Sequence, residues 1–128
     1  MTVQPSVRNL SINGDRLWDS LMEMAKIGKT AKDGVCRLAL TDLDRERRNP
    51  ELPPVVMGSH LDSQPTGGKY DGVYGVLSGL EVIRTLNEAK YETGAPLEVV
   101  CWTNEEGSRF APAMVASGVF AKVFDLEY

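Results

Sequence analysis

The sequence predicts an α/β fold in which helices lie on the faces of a parallel sheet. Three observations carry this. A short apolar run, Val55-Val56-Met57-Gly58, precedes an amphipathic helical pattern over residues 72–89, and a second apolar run follows at residues 97–102. Strand, helix and strand in that order form a βαβ unit, whose crossover joins parallel strands. Each apolar run also ends in a polar loop, with His60, Asp62 and Asp71 after the first and Glu105 and Glu106 after the second. In parallel sheets ligands gather at the carboxyl ends of the strands, so the two loops are expected at one edge.

Bulk properties narrow the class. The chain has 128 residues, 42% of them hydrophobic, enough for one core and too few for two ordinary domains. Its net charge of −4 argues against non-specific binding to nucleic acid or an anionic membrane, and neither is expected as a partner. The longest apolar runs fall far short of a transmembrane span, and the first residues lack the apolar region of a signal peptide. Cys36 and Cys101 form no Cys-x-x-Cys pattern and are expected to be reduced thiols in a cytoplasmic protein.

Taken in order, residues 1–12 read as a polar lead-in. Asn13 is placed to N-cap a helix over residues 14–27, with Asp15 favourable in its first turn. Leu17, Leu21 and Met24 share one face, with Trp18 and Ala25 beside them, and Gly28 is expected at the C′ position. Core packing explains that stripe. Between residues 29 and 50 a short apolar patch, Arg37-Leu38-Ala39-Leu40-Thr41, leads into the dense charges of residues 42–48, read as a turn capped by Thr41 and a solvated face. Asn49-Pro50 and Pro53-Pro54 exclude regular helix. The run from Val55 is then expected to be a buried strand delivering His60.

In the helix over 72–89, Val73, Val76, Leu77, Leu80 and Ile83 make the apolar face, and Glu81, Arg84 and Glu88 are expected to face water. Gly75 and Gly79 each cost about 1 kcal/mol of helix propensity against Ala, which predicts close approach to a neighbouring strand. Gly94-Ala95-Pro96 turns the chain into a second buried strand over 97–102. A short helix over 112–117 closed by Gly118 is the last element expected.

His60 is the single histidine. Neutral imidazole with carboxylates from Asp71 and Glu106 makes a suitable set of metal ligands, and an Asp can bridge two ions. Asp62, two positions after His60, is placed to accept the other ring N–H and fix the tautomer. Of the adjacent pair, one glutamate can hold a metal while the other takes a proton from metal-bound water. Each residue taken singly also has a bland reading. A lone His is more often a hydrogen-bonded structural residue, Glu-Glu pairs are usually solvated, and Asp71 could be a helix cap. Spacing leaves both readings open.

Other chemistries fit worse. Gly67-Gly68-Lys69 lacks the first glycine and the Ser/Thr of a phosphate-binding loop, since Ser63 and Tyr70 stand in those places. No Gly-x-Ser-x-Gly surrounds Ser59 or Ser63, and one histidine cannot build His-Glu-x-x-His.

The blocks His60-Leu61-Asp62, Gly67-Gly68-Lys69-Tyr70-Asp71-Gly72 and Thr103-Asn104-Glu105-Glu106-Gly107-Ser108-Arg109-Phe110 resemble, in order, those of the M20-type metallopeptidase superfamily. They are most similar to its hydantoinase/carbamoylase branch: N-carbamoyl-L-amino-acid hydrolases, β-ureidopropionases and allantoate amidohydrolases. Asn13 to Trp18 and Arg37 to Thr41 resemble that branch too, so the likeness covers nearly the whole chain.

The resemblance implies a three-layer αβα, zinc-peptidase-like catalytic domain with a mostly parallel sheet, of which residues 1–128 form a partial N-terminal portion. It implies two divalent ions, zinc or manganese, with cobalt or nickel also acceptable to such ligands. His60 would bind one ion, Asp71 bridge both and Glu106 bind the other. Asp62 would orient His60, and Glu105 would be the general base. The implied reaction is hydrolysis of a carbamoyl or ureido C–N bond by a homodimer acting on a small ureido substrate.

Two departures from the family pattern temper this expectation. A helix and strand pair usual between the Thr41 and Pro53-Pro54 regions has no counterpart, and the chain stops at Tyr128 before the family's later metal-binding histidines. The isolated chain is therefore expected to be inactive. The rival readings are a non-catalytic α/β remnant acting in association and an aminopeptidase or deacylase of the same superfamily.

Overall fold

The structure is a computed structural model that describes residues 10–27, 29 and 52–127. Its elements are helix α1 (Gly14–Lys26), strand β1 (Val55–Ser59), helix α2 (Val73–Glu88), strand β2 (Leu97–Cys101) and helix α3 (Val115–Phe120). The readings made for residues 30–50, for Gly28 and for Cys36 lie outside the described residues. No described helix is long and apolar enough to cross a membrane.

The expected βαβ unit is present. β1 and β2 pair in parallel, from Val55 opposite Leu97 to Ser59 opposite Cys101. A parallel pair carries both chain exits at one edge, and that geometry brings the two polar loops together. α2 lies against the strands through its glycines. A Cβ on Gly75 would sit 2.8 Å from the Cβ of Ser59, and one on Gly79 3.1 Å from that of Met57. The helix-propensity cost of these two residues is the cost of that approach.

α1 begins as its sequence predicts, with the Asn13 side chain accepting the Arg16 N–H at 2.9 Å. Leu17 and Leu21 bury against Val73, with Met24 and Leu77 at the edge of the cluster. Trp18 does not join them. It is 54% exposed and tilts against Tyr70, ring centroids 6.2 Å apart.

Three further expectations are corrected. Glu81 does not face water: it is fully buried, with both carboxylate oxygens held by Arg16 at 2.7 and 2.8 Å and a third bond from the Asn13 N–H at 3.1 Å. Arg16 supplies both the countercharge and the donors a buried carboxylate requires, and its hydrogen bonds hold the Glu81 pKa below the ordinary value. β1 is not buried either, since Val55 and Val56 are 54% and 46% exposed. Among the described residues β2 is its single partner strand.

Gly118 does not close the last helix, which runs through it. Its missing side chain leaves room for the Phe124 ring, 2.4 Å from where a Cβ would be. The stop falls at Lys122, which takes φ 59° while its N–H reaches Val119 O and the Val123 N–H reaches Gly118 O. α2 ends the same way at Lys90, with φ 52°. Both are Schellman closures with lysine where glycine is usual.

Candidate metal centre

His60 follows the last residue of β1 and is buried. Its Nδ1 lies 3.0 Å from the backbone carbonyl of Asp62. A carbonyl only accepts, so Nδ1 carries a proton, which in the neutral tautomer leaves the lone pair on Nε2. That nitrogen faces acid, 3.4 Å from Glu105 Oε2 and 3.9 Å from Asp71 Oδ1.

The ring is also fixed from behind. Gly72, the N-cap of α2, has φ 68°, and a Cβ there would lie 2.5 Å from Cε1 and Nδ1 of the imidazole. Only glycine meets both conditions, the positive φ and the vanishing space. Sequence reading assigned this residue no role.

Asp62 is buried, but the ring N–H goes to its carbonyl, while its carboxylate stands 3.8 Å from Nδ1. The carboxylate oxygens instead accept the backbone N–H groups of Glu105 at 3.3 Å and Glu106 at 3.2 Å. Asp62 therefore ties the loop after β1 to the loop after β2. The second loop is pinned further by Asn104, which donates to Phe110 O at 2.6 Å, and by the Met114 N–H, which donates to Glu105 O at 2.8 Å.

His60, Glu105 and Glu106 each offer a ligand atom within 4.8 Å of the others. Asp71, expected to bridge two ions, stands beside this group with its side chain 53% exposed, and Glu105, expected to be the base, lies inside it with 31% exposed. The donor set fits a divalent cation, and one observation supports the fit. Glu106 Oε1 is buried with no hydrogen-bond partner. A carboxylate oxygen removed from both water and donors is stabilised by a cation. Cys101, at the end of β2, is a free thiol whose pKa is pushed up by burial.

The sequence model of the peptidase family M20/M25/M40 matches residues 56–128, the part of the chain that holds all five of these residues. An N-carbamoyl-L-amino-acid amidohydrolase of Rhizobium meliloti is 51% identical over 94% of this chain and 36% of its own length. A protein of the same description from Geobacillus stearothermophilus is 38% identical over 86% of this chain and 34% of its own. Among solved structures, an amidase of the hydantoinase/carbamoylase family from Burkholderia multivorans superposes with a TM-score of 0.86 at 57% identity, over 94% of this chain and 36% of that one. The chain thus spans about a third of the length of the relatives it matches. The Rhizobium meliloti alignment runs over 149 residues, more than the 128 here, so that relative carries residues inside the matched region that this chain lacks.

Proposed function

The chain belongs to the peptidase family M20/M25/M40, and from that membership we infer that it is the metal-binding part of an amidohydrolase. The reaction proposed is hydrolysis of the carbamoyl C–N bond of N-carbamoyl-L-amino acids or related ureido compounds. Addition of one water releases the amino acid, carbon dioxide and ammonia. The likeness to proteins described as N-carbamoyl-L-amino-acid amidohydrolases supports that substrate class. The observation that carries the metal is the buried, unpartnered Glu106 Oε1 within the His60, Glu105 and Glu106 group.

In this proposal His60 Nε2 and Glu106 would be ligands, and Asp71 would add a third where two ions are held. A divalent ion, zinc or manganese, supplies Lewis-acid polarisation of the ureido carbonyl and an acidified water. Glu105 would take a proton from the attacking water and pass it to the leaving nitrogen. Its place 3.4 Å from His60 Nε2 keeps it within reach of the reacting atoms. Asp62 holds both glutamate amides, so the base and the ligand keep their spacing. A cytoplasmic homodimer completes the proposal, and the free thiol of Cys101 agrees with a reducing compartment.

One observation favours a second reading, association without catalysis: Val55 and Val56 leave apolar surface open on β1. Joining the chain to the remaining two-thirds of a relative separates the readings. The carbamoylase reading expects hydrolysis of an N-carbamoyl-L-amino acid and its loss in Glu105→Gln. Cleavage of dipeptides alone would move the assignment to a peptidase, and full activity in Glu105→Gln would remove the base from that residue.

A further inference from the structure

Gln64 has no part in the site as described so far, yet it touches the ligand that carries the metal assignment. Its Nε2 lies 3.1 Å from Glu106 Oε2. A carboxylate accepts only, so the amide nitrogen is the atom that faces it. The same carboxylate's other oxygen, Oε1, is buried and has no partner. Two residues before Gln64, the Asp62 carboxylate takes the Glu106 backbone N–H at 3.2 Å. One loop therefore grips Glu106 twice, by its backbone through residue 62 and by its side chain through residue 64.

We propose that Gln64 is a positioning residue that occupies Glu106 Oε2 and thereby makes Glu106 a one-oxygen ligand through Oε1. The proposal rests on the metal-binding reading of the site. A free carboxylate can turn to offer a cation both oxygens. With one oxygen held by the amide, the other is aimed and its partner is withheld, which favours ions content with few ligands, such as zinc, over larger shells. Gln64 itself is exposed, so its substitution leaves the core intact.

The test uses the 128-residue chain with zinc alone, titrated against a chromophoric chelator, and with cobalt as a visible reporter of coordination number. Gln64→Met keeps length and removes the donor, and Gln64→Asn keeps the amide but shortens its reach. Both are expected to weaken zinc binding about 10- to 100-fold and to dim the cobalt bands as Glu106 turns to bind through two oxygens. Wild-type affinity with an unchanged cobalt spectrum in Gln64→Met overturns the role of Gln64 and leaves the metal reading standing. Absence of zinc binding by the wild-type chain overturns both.

Discussion

Two glutamates, the buried Glu81 and the half-buried Glu106, meet the same electrostatic problem in opposite ways. Glu81 lies in the α1–α2 interface with its oxygens saturated by Arg16 and the Asn13 N–H. Glu106 lies at the sheet edge with Oε2 bonded to Gln64 and Oε1 bonded to nothing. Burying a carboxylate costs free energy that its partners must offset. Where partners come from the chain itself, the group is structural. Where a partner must come from outside, the group is a site. Each carboxylate has an oxygen removed from water, and the count of satisfied oxygens separates the two.

Substitutions at the two places are expected to diverge, and Gly72→Ala should have the largest effect because it acts on the site's frame. Its positive φ and the 2.5 Å approach to His60 predict a loss of about 3 kcal/mol in urea unfolding, together with loss of zinc binding. A stable variant with normal zinc affinity would show that the imidazole has room to move. Glu81→Ala comes next. It is expected to cost about 2 kcal/mol, the scale of hydrogen bonds to a charged group, while zinc binding by the folded protein stays unchanged. Equal damage to stability and metal binding would erase the distinction drawn between the two regions.

The pH response follows from the same residue. Hydrogen bonds from Arg16 lower the Glu81 pKa below the ordinary value for a glutamate, so the folded state favours the ionised form. This contribution is fully present above about pH 4.5 and is lost as pH falls through the lowered folded value. Unfolding followed from pH 7 to pH 3 should therefore steepen in acid for the wild type, and less so for Glu81→Gln. Parallel curves would contradict the assignment. The smallest effect is expected at Asn13→Ala, about 1 kcal/mol from loss of the α1 cap, measured by the same unfolding and with no change in zinc affinity.

What the sequence made legible was local or paid for locally. The Asn13 cap lies three residues from the N–H it binds. Gly75 and Gly79 were visible as helix residues with a cost, and the parallel pair followed from the order of elements. What escaped depends on distant partners. Glu81 reads as a water-facing position because Arg16 is 65 residues away. The Asp62 carboxylate meets amides 43 and 44 residues on, so its expected bond to His60 was the local choice and the lesser one. The end of α3 failed for another reason: Lys122 adopts positive φ without the glycine that usually signals it.

The most direct measurement sets Glu106→Gln against Glu81→Gln in zinc titrations of the folded chain. The account predicts that Glu106→Gln weakens binding by at least about 100-fold, because it replaces a ligand, while Glu81→Gln binds as the wild type does. Equal zinc affinity in the two variants would contradict the claim that Glu106 Oε1 is buried to hold a metal.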